Sequence, residues 1–394
     1  VSRPLKVMLV AVEASADALG AGLAQALRDR LGEAGVSLVG VGGGRMTAAG
    51  VASPFGIDDL SLVGALEIAG AVPRVISRIL RTVRLGLAEQ PDVAVLIDGG
   101  VFNSLVIRGL RWRAPKVALI KYAAPQVWAT RPGRARSLAR QVDHLMTLFA
   151  FEARYFETEG LPTTFVGAPV LSQDFAGADV AALRAQIGAG DGDQILLILP
   201  GSRPSEIRHI MPPFEAAAMR LRDARPGLHL VVAAAETVAG EVTARVAGWR
   251  HRAHVVQGEA ARRAAMRAAT VALAKSGTVT TELAMAGCPM VVGYRANPIT
   301  AVIARAIIQV KYLTLFNIAA GEAAAPELIQ RALTPDRLAA AAGALLDDPA
   351  RRAAQVAAQN AALAKLGAGS VADPFGAAAE AVIQVMRERG WGAA

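Results

Sequence analysis

Two stretches of the chain end an apolar run on small polar residues and then open a helix. Both have the composition of an anion site. In LLILPGSRPSEI, Leu196 to Ile207, a buried-strand pattern runs into Gly201, Ser202 and Arg203. Pro204 suits a first helical position, and Glu206 falls in the first turn. A helix N-terminus there presents free N–H groups and partial positive charge, and Arg203 adds a planar cation whose fork fits phosphate. An ordinary strand-to-helix turn with an exposed arginine has the same pattern. The second stretch, LAKSGTVTTE, ends a strand at Ala274. Ser276, Gly277 and Thr278 then open a helix, with Glu282 one turn in. Small hydroxyl residues at a helix start can hold a diphosphate, and a carboxylate in that turn can accept both hydroxyls of a ribose. A plain N-cap with a dipole-favoured glutamate is the competing reading. Two such loops in one half of the chain favour a nucleotide.

In the first half, Asp98 closes the strand VAVLID, where its carboxylate either points into a cleft or caps the following helix. Asn103 and Trp128 flank the same region at other strand ends. Glu13, Ser15 and Asp17 cluster after the first strand in VEASAD, which lacks the glycines that let a backbone cradle phosphate. There is no Walker A motif, and GVGGGRM reads as a tight turn rather than a G-x-G-x-x-G. His251 and His254 have no carboxylate or cysteine spaced nearby, and DGD at Asp191–Asp193 precedes its strand, so no metal site and no cofactor are expected.

These residues need a scaffold that brings strand ends together. Short apolar runs alternate with amphipathic helices throughout. The strands read Lys6–Val12, Ser37–Val41, Val93–Asp98, Lys116–Ile120, His144–Leu148 and Thr164–Val166. Ile195–Leu199, Leu228–Ala235, His254–Gln257, Val271–Ala274 and Met290–Gly293 follow. Continuous apolar strands between helices predict parallel sheets covered on both faces, and two such sets in series predict an α/β protein of two doubly wound, Rossmann-like domains facing a cleft. The expected division is 1–170 and 171–365, the second holding both anion loops. Residues 366–394 form a C-terminal helix expected to pack back on the first domain.

The chain has 394 residues and mean hydropathy +0.37, without a run of about 18 uncharged apolar residues, so no transmembrane helix is expected. KVMLVAV, followed by Glu13, reads as a first strand rather than a signal peptide. The single cysteine, Cys288, fits a cytosolic location. A net charge of +9 suits phosphorylated ligands, nucleic acid or an anionic membrane, and aromatics at 5%, not interleaved with Lys/Arg, argue against nucleic acid. In LVGALEIAGAVPRVISRILRTVRLG, arginines recur at helical spacing beside apolar residues. A helix of this kind lies on anionic lipid, with Leu66, Ile68, Val72, Arg74, Val75, Ile76 and Arg78 at the surface. An ordinary amphipathic helix covering a sheet is the alternative.

Along nearly its whole length, about Lys6 to Val385, the chain resembles the lipid-A-disaccharide synthases, glycosyltransferases of the GT-B type. The resemblance is carried by GVGGGRM, PDVAVLID, VDHLMTLFAFEARYFE, LPGSRPSE, SGTVTTELAMAGCPMVVGYR and NIAAGEAAAPELIQ. It implies inverting, metal-independent transfer of 2,3-diacylglucosamine from its UDP derivative to the 6-hydroxyl of 2,3-diacylglucosamine 1-phosphate. It also implies peripheral attachment to the inner face of the cytoplasmic membrane, and a homo-oligomer is compatible with it. By resemblance, Asp98 is the general base, and Gly201, Ser202, Arg203, Ser276, Gly277 and Thr278 hold the diphosphate of UDP. Glu282 holds the ribose, and Asn317 approaches the phosphates. Glu13, Ser15, Asp17, Asn103, Trp128 and Arg131 fall on the acceptor side, so the resemblance implies that 1–170 is the acceptor-binding and membrane-facing domain and 171–365 the UDP-sugar-binding domain.

The chain departs from the family pattern in that half. Val12 and Ala16 replace two glycines, Val101 an aspartate, Thr130 a tryptophan and Ala168 a histidine; Phe316 replaces a proline on the nucleotide side. Valine at position 12 is expected to add bulk and to oppose a positive φ. The alternative these changes raise is a diverged paralogue that binds a UDP-sugar but has another acceptor or no turnover. A sugar-nucleotide epimerase shares the architecture but neither the motifs nor the basic helix.

Overall fold

The apolar runs form parallel strands covered on both faces, as hydrophobic continuity requires. The computed structural model describes residues 3–57, 68–128, 133–297 and 310–392, leaving aside the side chains of 68–71. It divides into two compact units, residues 1–169 with 370–394, and residues 170–369.

The first unit holds β1 (Leu5–Val10), β2 (Val36–Val41), β3 (Val93–Ile97), β4 (Ala118–Tyr122), β5 (His144–Thr147) and β6 (Thr163–Phe165) in the order β2-β1-β3-β4-β5-β6. Every pairing is parallel. Its helices are α1 (Ala14–Leu31), α2 (Gly44–Ala48), α3 (Ile68–Glu89), α4 (Gly100–Arg113), α5 (Gly133–Ala139) and α6 (Arg154–Glu157). Alternate strand residues face opposite sides. Val7, Leu9, Val95 and Ile97 meet Leu23 and Leu27 of α1, whereas Met8, Val10, Leu96 and Leu119 meet Ile79 and Val83 of α3 and Val106 and Leu110 of α4.

The second unit holds β7 (Ile195–Leu199), β8 (His229–Ala233), β9 (Ala253–Val256), β10 (Val271–Lys275), β11 (Met290–Tyr294) and β12 (Glu327–Ile329) in the order β12-β11-β10-β7-β8-β9, again all parallel. Its helices are α7 (Val180–Ile187), α8 (Pro204–Ala224), α9 (Ala239–Ala247), α10 (Glu259–Ala268), α11 (Thr278–Met285), α12 (Leu315–Ala320), α13 (Pro335–Asp347) and α14 (Pro349–Leu366). The last helix, α15 (Pro374–Glu388), belongs to the first unit, where Ala378, Val382 and Met386 join the core under α1. Gly22 of α1 admits this packing: a Cβ there would lie 2.3 Å from the Phe375 ring.

Each sheet grows outward from a central strand and then reverses. The reversal lies between β1 and β3 in one unit and between β7 and β10 in the other. In doubly wound sheets the crevice at that switch point, outside the carboxyl ends of the strands, receives the ligand. Among the described residues, no helix is long and apolar enough to cross a membrane.

Candidate active site

At the first unit's switch point, β3 ends in a strained turn. The Asp98 N–H donates to the Tyr122 carbonyl at 2.8 Å, the last rung of the ladder. The chain then turns through three successive left-handed residues, Asp98 (φ +43°), Gly99 (φ +72°) and Gly100 (φ +40°), and opens α4. Only glycine fits the middle position, because a Cβ on Gly99 would lie 2.5 Å from Asn103 Nδ2. For a non-glycine residue such as Asp98 the left-handed region costs roughly 1–3 kcal/mol and is held only by its surroundings. The result is an exposed carboxylate at a strand end.

Those surroundings are two buried donors. Asn103, fully buried on α4, donates through Nδ2 to the carbonyls of Ile97 (2.9 Å) and Asp98 (3.0 Å). It therefore shapes the turn that carries Asp98. Lys121, buried on β4, donates through Nζ to the carbonyls of Asp98 (2.5 Å), Leu96 (3.3 Å) and Tyr122 (3.4 Å). Burial pulls its pKa down to about 8, against the opposing pull of the Asp98 and Glu13 carboxylates. Lys121 was missed in the sequence, although a lysine inside the apolar strand ALIKY was the available signal.

Glu13 and Ser15 lie exposed where β1 passes into α1. Asp17 does not join them. It is buried, and its carboxylate accepts the backbone N–H groups of Gly43 (2.7 Å), Arg45 (3.0 Å) and Met46 (3.1 Å). Asp17 thus clamps the GVGGGRM turn and α2 against α1, with its oxygens committed inside the protein. Val12 creates no backbone strain: outside glycine, positive φ among the described residues is confined to Gln90, Asp98, Ala123 and Gln330. Its side chain is buried in the core, as is Ala16. Trp128 is partly buried, edge-on to Phe151 at 5.5 Å, with Nε1 3.5 Å from Glu152 Oε1. Burial pushes the Glu152 carboxyl up to about 7, against hydrogen bonds from Phe149, Trp128 and Leu148. Arg131 lies outside the described residues.

In the second unit, both anion loops sit at the ends of the adjacent strands β7 and β10. Gly201 has φ +125°, and Ser202 and Arg203 are exposed at the start of α8. Glu206 ties the two loops together: one oxygen accepts the Ser202 N–H at 2.9 Å and the other pairs with Lys275 Nζ at 2.8 Å. That ammonium lies against the second loop, 3.2 Å from the place of a Cβ on Gly277. Lys275 was also missed, and Glu206 had been assigned only a helix-dipole role. Ser276 is buried at the end of β10, while Gly277 and Thr278 are exposed. Glu282 is buried in α11. Its Oε1 is 3.5 Å from Arg262, and its Oε2 has no hydrogen-bond partner. Burial raises its pKa, partly offset by Arg262. An orphan buried acceptor is costly unless a donor reaches it, and a ribose hydroxyl is such a donor.

Asn317 stands apart. Its amide donates to the Ala325 carbonyl (2.9 Å) and Glu327 Oε1 (2.8 Å), and its oxygen accepts the Ala325 N–H (3.1 Å). Glu327 also accepts the N–H groups of Leu313 and Thr314 and the Thr314 hydroxyl. Asn317 is therefore a buried brace of the loop before β12, with no hydrogen-bonding capacity directed at a phosphate. Among the described residues, no group of three or more His, Cys, Asp or Glu could hold a metal ion.

The basic helix has two apolar faces. Ile79 and Val83 of α3 are buried, and Val75 packs against the same core, so Val75 faces inward rather than to a surface. Val72, Ile76 and Leu80 recur every four residues and are 44%, 49% and 42% exposed. Arg74 is exposed, whereas the Arg78 guanidinium lies 4.5 Å from the Phe55 ring centroid. Leu66 lies outside the described residues, as does the Ile68 side chain. Neighbouring α4 exposes Val101, Leu105 and Trp112.

Two all-parallel doubly wound units, each with charged or glycine-rich strand ends at its switch point, make the GT-B fold. The fold is similar to that of the glycotransferase of kitacinnamycin (TM-score 0.61, 17% identity, 97% of this chain and 99% of that one). It is also similar to UDP-GlcNAc 2-epimerase from Neisseria meningitidis bound to UDP-GlcNAc (TM-score 0.58, 10% identity, 98% of this chain and 100% of that one). The family model described as lipid-A-disaccharide synthetase matches residues 7–380. Lipid-A-disaccharide synthase of Rhodospirillum centenum is 40% identical over 387 residues, 98% of this chain and 96% of the relative. The chain belongs to the lipid-A-disaccharide synthetase family and is a glycosyltransferase of lipid A biosynthesis. Full-length likeness of this kind does not favour the diverged paralogue.

Proposed function

We propose that the first unit binds 2,3-diacylglucosamine 1-phosphate and the second binds UDP-2,3-diacylglucosamine. The observation that carries this reading is that the chemistry-bearing residues of both units lie at the switch points of their sheets. Asp98 takes the proton of the acceptor's 6-hydroxyl as that oxygen attacks the anomeric carbon. The bond to UDP breaks, and its electron pair leaves on the diphosphate. Attack from the opposite face inverts the anomeric centre and gives the β-linked disaccharide. A positioned base contributes about 10²–10⁴ in rate. Arg203, the two helix N-termini and the Lys275 ammonium supply positive charge for the departing diphosphate, which is electrostatic catalysis without a required cation. Glu282 receives the ribose hydroxyls.

The acyl chains of both substrates place the reaction at a lipid surface. The stripe Val72, Ile76 and Leu80, with Arg74 beside it, fits peripheral binding to anionic lipid at the inner face of the cytoplasmic membrane. The experiment is UDP release from UDP-2,3-diacylglucosamine, with and without 2,3-diacylglucosamine 1-phosphate, in EDTA. Acceptor-dependent release supports the whole reading. Release that ignores this acceptor, or that EDTA abolishes, overturns it. Flotation with anionic liposomes checks the membrane part, and protein left at the bottom of the gradient overturns that.

A further inference from the structure

A lysine buried in an apolar strand needs a reason, because burial disfavours its charge and a methionine would fill the same space at no electrostatic cost. Lys121 stands on the face of the sheet that carries Leu96 and Leu119, paired with Leu145 of β5 on one side and Leu96 of β3 on the other. Its Nζ reaches three carbonyls, and the shortest bond, 2.5 Å, is to Asp98 itself. Asn103 of α4 shares that carbonyl at 3.0 Å. The charges acting on Lys121 are the carboxylates of Asp98, at the end of β3, and Glu13, at the start of α1. Tyr122, next along the strand, has a buried hydroxyl whose pKa burial raises, so it contributes no charge.

We propose that Lys121 is a positioning residue for Asp98, whose buried ammonium locks the left-handed turn through the Asp98 carbonyl. The inference deepens the reading of Asp98 as general base and rests on it. Hydrogen bonding alone does not need a charge, since Asn103 already supplies a neutral donor to the same oxygen. The charge makes the bond to that oxygen stronger than a neutral donor would.

The test is the pH dependence of kcat/KM in the full chain for wild type, Lys121→Met and Lys121→Gln, with amide hydrogen exchange along β3 and β4 as the folding control for the first unit and UDP affinity by calorimetry for the second. In wild type, activity falls above about pH 8 as the ammonium loses its proton. In Lys121→Met kcat falls and that alkaline limb vanishes, because no ammonium is left to lose a proton. Lys121→Gln, which keeps a donor, recovers part of kcat but not the alkaline limb. KM for the UDP-sugar and UDP affinity stay at wild-type values in both variants. An alkaline limb at the wild-type pH in both variants, whatever the fall in kcat, would reduce Lys121 to scaffolding and overturn the proposal. Asp98→Asn, assayed alongside, separates the two levels. Wild-type turnover there refutes the general-base reading itself, whereas collapse there with the alkaline limb unmoved in the Lys121 variants refutes this inference alone.

Discussion

Replacing Lys121 with methionine should make the first unit more stable while making the enzyme worse. Burial lowers the lysine from its ordinary 10.5 to about 8. At about 1.4 kcal/mol per pKa unit, that displacement opposes folding by about 3 kcal/mol at any pH below 8. Between about pH 8 and 10.5 the unfolded chain holds the proton and the folded chain does not, so this group's penalty shrinks as pH rises through that window. Methionine removes the penalty but also removes hydrogen bonds worth about 0.5–1.5 kcal/mol each. That loss is blunted, because the Asp98 carbonyl keeps Asn103 and the Tyr122 carbonyl keeps the Asp98 N–H. The expected balance is a gain of about 1–2 kcal/mol at pH 7 that disappears by about pH 10. Amide hydrogen exchange along β3 and β4, read at both pH values, reports this free energy for the first unit separately from the second. Slower exchange in Lys121→Met at pH 7, with the difference closing at pH 10, is the predicted pattern. Faster exchange at both pH values would show that the ammonium is a net stabiliser and that the desolvation reasoning is wrong.

Three other perturbations follow from single contacts. Glu206→Gln breaks the ion pair that ties the Ser202 loop to Lys275 and should weaken UDP binding about tenfold, equivalent to about 1.4 kcal/mol; unchanged affinity by calorimetry would show that the loops hold their geometry without it. Asn317→Ala strips both backbone groups of Ala325 of a buried partner. It should cost the second unit about 2–4 kcal/mol in urea unfolding while the folded protein binds UDP normally, and a selective loss of UDP affinity would restore Asn317 to the phosphate site. Ile76→Asp puts a charge on a side chain that is 49% exposed, so thermal stability should hold within about 0.5 kcal/mol while flotation with anionic liposomes falls severalfold; undiminished flotation would place the lipid contact elsewhere.

The scaffold was readable because a strand buried on both faces must be apolar throughout, and such runs stand out between helices. β12 escaped because three residues, Glu327–Ile329, carry no periodicity. The strand-end residues were equally readable as residue types in the right place, yet type and place do not say whom a polar side chain serves. Asp17 and Asn317 have the composition of ligand-binding groups and spend it on backbone, Asp17 on N–H groups of residues 43 to 46, which no local pattern predicts. Glu206 and Lys275 find each other across two strand ends. On α3, period-four spacing announced an amphipathic helix, but Val72 and Val75 are both apolar and only packing distinguishes the exposed one. Counting hydrogen-bond capacity then narrows the catalytic groups by physics alone. Carboxylates that satisfy buried backbone cannot also meet a substrate. Among the strand-end carboxylates described above, those with uncommitted oxygens are Asp98 and Glu13, exposed at one switch point, and Glu282, whose Oε2 is unpartnered in the helix that follows β10. In the proposed reaction these carboxylates meet its two needs, a proton acceptor for a sugar hydroxyl at the first switch point and a hydrogen-bond acceptor for a ribose beside the second.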